Sequence, residues 1–132
     1  MRATSMKEIV RKMTDSQEYV IFMLGDSITC GACASTAETT YTAILAKGLA
    51  KRYPERTVLR YDGLQSRMED GELRPVERFD GPVAVGRGER GKLTVVRCGI
   101  GGNTVRRILN RRNDYAGREF EGRRGDLFFI ML

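Results

Sequence analysis

Three apolar runs divide this chain, and the polar residues between them carry most of its turn signals. In the first, Tyr19-Val20-Ile21-Phe22-Met23-Leu24, six apolar residues follow one another without alternation and stop at Gly25-Asp26-Ser27. An unbroken run bounded by turn residues predicts a strand buried on both faces, as in a parallel sheet. The second, Leu93-Thr94-Val95-Val96, leads into a glycine-rich turn, and the third occupies Asp126 to Leu132. Between the first two, Ser35-Thr36-Ala37-Glu38 has the spacing of a capping box, with Tyr41, Ile44, Leu45 and Leu49 following at helical intervals as an inward stripe. Pro54 ends that helix near Arg52 or Tyr53. Thr57-Val58-Leu59-Arg60-Tyr61 then reads as a second strand.

The flanking stretches are less regular. Lys7 to Met13 fits one or two amphipathic turns packing against the domain, so residues 1–18 read as a leader and 19–132 as the domain. Residues 62–91 are polar, punctuated by glycines and by Pro75 and Pro82, and hold too few apolar residues for a core of their own. They read as an insertion that either shapes a substrate mouth or decorates an edge. Within it, Val83-Ala84-Val85 is expected to pair with Leu93-Thr94-Val95-Val96 as a hairpin across Arg87 to Gly91.

Composition narrows the class. A length of 132 residues and an apolar fraction of 41% suit one small α/β domain. No run of eighteen apolar residues supports a membrane span, and the charged first seventeen residues lack the apolar segment of a secretory signal. A cytoplasmic location is the expectation. The net charge of +6 comes mostly from arginine, with Arg106, Arg107, Arg111 and Arg112 on one predicted helix. No aromatic residues interleave with them as a stacking platform for nucleic acid requires, so a solvated basic face is preferred.

Three cysteines suit a reducing compartment. Cys30-Gly31-Ala32-Cys33 has the spacing of a redox pair, and a helix N-terminus there would lower the thiol pKa. Thr29 replaces the aromatic residue expected before such a pair, and no clear Thr-Pro or Ile-Pro loop follows to face it. Zinc is poorly served by Cys30, Cys33 and Cys98 in a chain without histidine. The turn Gly99-Ile100-Gly101-Gly102-Asn103 follows a strand and opens a short helix in which Val105, Ile108 and Leu109 share a face. Thr104 stands where a dinucleotide fingerprint needs its third small residue, and no phosphate-binding loop pattern is present. No cofactor and no metal are expected.

Ser27 occupies the loop leaving the first strand, where ligands of open α/β sheets bind. Gly25-Asp26-Ser27-Ile28-Thr29, one residue and then Gly31 resemble the first block of the SGNH (GDSL) ester hydrolases. Val95 to Thr104 is similar to that family's second block, and Asp126 to Leu132 resembles the strand leading into its third. The resemblance implies a three-layer α/β/α sandwich with a flavodoxin-like parallel sheet. It implies Ser27 as nucleophile, the Ser27 and Gly102 amides as oxyanion donors, and Asp26 as support for the turn. Small-acyl or carbohydrate esters would be the substrates. One departure is severe: the family's base is a histidine in a C-terminal Asp-x-x-His block, and its third donor an asparagine after a strand like Phe128 to Leu132. Neither block is here. The expectation is the N-terminal part of a longer hydrolase, inactive alone, whose closing strand is covered by the missing part or by a second copy. The alternatives are a non-catalytic binding domain of the same ancestry and a thioredoxin-like protein using Cys30 and Cys33.

Overall fold

The computed structural model describes residues 4–32, 34–62, 65–76, 80–99, 104–106, 119–120 and 123–131. Helix α1 (Met6–Asp15) precedes strand β1 (Glu18–Gly25), a single turn α2 (Ser27–Cys30), a 3-10 turn at Ala37–Thr39 and helix α3 (Tyr41–Arg52). Strands β2 (Thr57–Asp62), β3 (Gln65–Glu69), β4 (Glu72–Val76), β5 (Asp80–Gly86) and β6 (Lys92–Gly99) follow. The short β7 (Glu119–Phe120) and β8 (Arg123–Arg124) lead to β9 (Leu127–Met131).

The main sheet has five strands in the order β5-β2-β6-β1-β9. β1 is parallel to β6 and to β9, and β2 is parallel to β6, whereas β5 is antiparallel to β2. This is a mixed α/β sheet, not the wholly parallel one expected. The hairpin expected between Val83–Val85 and Leu93–Val96 does not form, because β2 lies between the two segments. Residues 87–91 turn instead around the start of β2. Arg90 N–H donates to Glu55 O at 2.9 Å, Thr57 N–H to Gly91 O at 3.0 Å, and Thr57 Oγ1 to Gly88 O at 2.6 Å. Pro82, which cannot donate to a ladder, is accommodated because β5 is an edge strand.

β1 lies between β6 and β9 in the sheet, and each of its two faces enters an apolar cluster. Tyr19, Ile21 and Met23 pack with Val58, Leu93, Val95, Ala46 and Tyr53 on the face covered by α3. Val20, Phe22 and Leu24 pack with Tyr61, Val96 and Cys98 on the other face. Phe22 stacks on Phe128 of β9 at 5.4 Å between ring centroids. Asp126 anchors that junction: its Oδ2 accepts the Val20 N–H at 2.8 Å, and its own N–H donates to Val20 O at 2.8 Å.

Helix α3 ends at Arg52, before Pro54, as its sequence predicts, but it starts differently. The Ser35/Glu38 capping box does not form. Thr36 and Thr39 make the reciprocal pair instead, across the 3-10 turn, and Thr40 caps α3 through its side chain and the Ala43 N–H. Glu38 is thereby released to Arg60 and Lys47. Starting α3 at Tyr41 also sets its phase: Thr42, Ala43 and Ala46 are buried, whereas Ile44, expected in the inward stripe, is 59% exposed. Small residues face the sheet here, so the helix lies close to it.

Arg56 holds the opposite end of the sheet together. It is 1% exposed, and its guanidinium donates to Thr14 O at 2.8 Å, to Lys92 O at 3.1 Å and to Ser16 O. The end of α1, the start of β2 and the start of β6 meet on this one side chain, and Met13 of α1 adds an apolar contact. Burial lowers the Arg56 pKa from its ordinary value. In residues 62–91, β3 and β4 form a separate two-stranded hairpin about Asp70-Gly71, with φ of 51° and 76°. Positive φ at both central residues is what an Asp-Gly pair supplies in a tight hairpin turn.

Candidate functional site

The carboxyl ends of three strands come level in this sheet. Gly25, the last residue of β1, is in register with Gly99 of β6 on one side and Met131 of β9 on the other. The chain leaves β1 through Asp26, whose Oδ1 accepts the Ile28 N–H at 2.9 Å and so caps α2. Gly31, at φ 100°, closes the turn by donating to Ser27 O at 3.0 Å and Ile28 O at 3.1 Å. A side chain larger than hydrogen is excluded at two points. A Cβ on Gly25 would overlap Thr29 Oγ1 and Met131 O, and a Cβ on Gly99 would overlap the Thr29–Cys30 backbone. α2 therefore lies directly across the ends of β1 and β6.

Ser27 opens α2 and is partly exposed. As the first helical residue its amide has no intrahelical acceptor and is open to an external one. Gly102 and Asn103, the other residues of the expected oxyanion site, lie outside the described residues, as does Cys33. Only Val105 and Arg106 of the helix expected beyond them are described; both are helical, and Val105 is 61% exposed and not part of an inward face. Thr29 is fully buried, and its Oγ1 shares a 2.7 Å hydrogen bond with Tyr41 Oη at the start of α3. Burial raises the Tyr41 pKa, the Thr29 bond opposes that rise and the charge of Asp26 adds to it. Burial and the Asp26 charge thus both favour the protonated phenol.

Two arginines that no motif singled out lie behind this turn. Arg60 and Arg97 are 4% and 8% exposed and share the α3 face of the sheet with Val58 and Val95. Arg60 Nη2 donates to Glu38 Oε1 at 2.9 Å, while its Nη1 is buried without a hydrogen bond among the described residues. The Glu38 pKa is lowered, first by that bond and then by the one to Lys47. Arg97 Nη1 lies 2.8 Å from where a Gly31 Cβ would sit. Alternation was the available signal, since Leu93, Val95 and Arg97 occupy one phase of β6.

Beside α2 a cleft of about 400 Å³ is lined by Ile28, Ala32, Ala34, Thr39, Thr40 and Tyr41. The redox expectation meets a geometric difficulty at Cys30, which is the last residue of α2 and not the first. It lies at the carbonyl end of that turn, and its expected partner Cys33 lies outside the described residues. Among the described residues no group of three or more histidine, cysteine or acidic side chains is placed to hold a metal ion. Nor, among them, is any helix long and apolar enough to cross a membrane.

Fold and site together define an α/β domain with a serine on the turn leaving an interior parallel strand. No family model matches the chain, and neither the curated proteins nor the solved structures contain a significant match.

Proposed function

We propose that this chain carries the nucleophile turn of a serine ester hydrolase of the SGNH type. The placement of Ser27 carries the reading: a hydroxyl on the first residue of a tight turn, at the end of a strand flanked in parallel by β6 and β9. Strand order supports it. If β2, which is also parallel, and β5 are set aside as additions, the remaining order β6-β1-β9 matches the 2-1-3 start of a flavodoxin-like sheet. In such a sheet the loop after the first strand borders the switch point where ligands bind.

In the proposed reaction Ser27 Oγ attacks the acyl carbonyl as its proton passes to a base. The tetrahedral intermediate expels the alcohol, and water then releases the acid from the acyl-enzyme. The Ser27 and Gly102 amides would receive the oxyanion, each donor contributing on the order of 100- to 1000-fold in rate. Asp26 orients the turn through Ile28 N–H. The base is the missing part, because the chain has no histidine. A general base contributes about 100- to 10,000-fold, so the 132 residues alone should hydrolyse p-nitrophenyl acetate at background rate, with Ser27→Ala indistinguishable.

A longer reading frame supplying Gly-x-Asn-Asp directly after Leu132 and a later Asp-x-x-His should restore turnover that Ser27→Ala abolishes. An intact longer frame without those blocks would refute the hydrolase and favour a binding domain of the same fold. Ser27-dependent turnover in the 132 residues alone would show that another group in this chain acts as base.

A further inference from the structure

Two buried arginines of this sheet are partnered in different ways. Arg56 gives its guanidinium to three backbone carbonyls, which cannot leave it without moving the segments that carry them. Arg60, 4% exposed on β2, donates from Nη2 to Glu38 Oε1 at 2.9 Å, while its Nη1 is buried with no hydrogen bond among the described residues. Glu38 is half-exposed and shared, since Lys47 Nζ on α3 lies 3.3 Å from its Oε2. One surface carboxylate therefore stands over a buried guanidinium and beside an ammonium. We propose that Arg60 and Lys47 form a binding site for a phosphoryl group, either free phosphate or a phosphate monoester, which Glu38 occupies from within when no ligand is bound. None of these residues belongs to α2, so the proposal is independent of the hydrolase reading.

The donors outnumber what Glu38 can answer. Its carboxylate spends one oxygen on Arg60 Nη2 and the other on Lys47 Nζ. Arg60 Nη1 is left over, and a buried donor without an acceptor carries a desolvation cost that nothing here returns. A phosphate monoester has three terminal oxygens, one for each of Nη1, Nη2 and Nζ, and the two guanidinium nitrogens match a pair of them in the parallel geometry that arginine favours. Charge gives the same answer. Two cations against one carboxylate leave a positive surplus, whereas a phosphate monoester carries about −1.5 to −2 at neutral pH. Arg97 is on the same face of the sheet, two residues beyond Val95, which is in register with Arg60; Asp62 is in register with Arg97 itself.

The segment that carries Glu38 is built to release it. Residues 35–39 are all exposed, and Ser35, Thr36 and Thr39 close the turn on itself and not on the sheet. Rotation of the Glu38 side chain into solvent opens the site without displacing a strand. Lys47 Nζ also donates to the Glu38 carbonyl at 3.3 Å, so the ammonium stays beside the turn when the carboxylate swings away.

The 132-residue chain itself serves for the test. Inorganic phosphate and phenyl phosphate, titrated at constant ionic strength against potassium chloride, should shift the amide resonances of Glu38, Lys47 and Arg60 beyond the chloride control. Glu38→Ala removes the internal competitor and should tighten phosphate about tenfold, because a tethered group competes at an effective concentration on the order of millimolar. Adding Lys47→Met or Arg60→Met to Glu38→Ala should abolish that gain; Lys47 is half-exposed on α3, so its substitution tests the site without disturbing the sheet. Acetate, with one charge and two oxygens, should bind Glu38→Ala more weakly than phosphate. Binding of inorganic phosphate alone assigns the site to the free anion, and binding of phenyl phosphate as well assigns it to a monoester. The proposal is overturned if Glu38→Ala binds phosphate no better than the native chain, if Lys47→Met leaves its affinity unchanged, or if acetate binds as tightly as phosphate.

Discussion

Replacing Arg56 with methionine tests how this small sheet is closed at its amino-terminal end. The substitution keeps much of the side-chain bulk and deletes the donors that hold Thr14 O, Ser16 O and Lys92 O. Hydrogen bonds from a charged donor contribute about 1.5–3 kcal/mol each, so three amount to roughly 5–9 kcal/mol gross. Against that stands the burial of a guanidinium at 1% exposure, whose cost even after relaxation is several kcal/mol. The net expectation is a loss of about 3 kcal/mol. In a domain stabilised by about 5–15 kcal/mol this is a large fraction of the whole. Urea denaturation followed by circular dichroism measures it as a fall in midpoint. The loss should be local as well as global, because two of the three carbonyls belong to the end of α1 and the residue after it. Hydrogen exchange at Lys12 to Ser16 should therefore accelerate more than exchange in β1. Arg56→Lys keeps the charge but not the planar fork, and should fall between the two. A methionine variant within 1 kcal/mol of the native chain would show that the buried cation costs as much as its bonds return.

Three further expectations follow from the same geometry. Gly25→Ala should destabilise the chain by about 2–4 kcal/mol and alter the amide spectrum of residues 26–31, since its methyl would overlap Thr29 Oγ1 and Met131 O; an unchanged melting temperature would contradict the close seating of α2. The Glu38 pKa is lowered in the folded state, so its contribution to stability is complete above its ordinary value near 4.5 and is lost as pH falls through the folded value. Glu38→Gln should flatten the stability profile in that acid range, and identical profiles would contradict the pairing with Arg60 and Lys47. Edge strand β9 exposes Phe129, Ile130 and Met131 at 46%, 60% and 46%, a surface that invites pairing. Sedimentation should reveal self-association that Ile130→Lys reduces, and a monomer at high concentration would refute it.

Local sequence determined the elements whose signals are complete within a few residues. The uniform apolar run from Tyr19 to Leu24 required a strand covered on both faces, because no one-sided arrangement hides six consecutive apolar side chains. Pro54 ended α3 because a ring without an N–H cannot continue a helix. Asp26 and Gly31 marked the turn holding Ser27, one by its short capping carboxylate and the other by its freedom at positive φ. Asp70-Gly71 carried an equally local hairpin signal that a reading of residues 62–91 as mere insertion passed over.

Tertiary structure decided the rest. Glu38, the acidic residue of the expected capping box, pairs instead with Arg60, a residue distant in sequence, while Thr36 and Thr39 make the capping pair. The partner of β5 was a choice between two strands with similar apolar patterns, and it was settled by β6 filling the place between β1 and β2. Alternation along β6 sets Arg97 in phase with Leu93 and Val95, but nothing local in the sequence marks Arg56 or Arg60 apart from the basic total. Their burial follows from strand phase and from carbonyls and a carboxylate supplied by distant segments. The serine turn was legible in sequence because its chemistry is local, whereas the cleft beside it is built from residues 28 to 41 folded back on α2. Among its described lining residues, the Thr39, Thr40 and Tyr41 hydroxyls find partners only within the packed geometry, which composition does not carry.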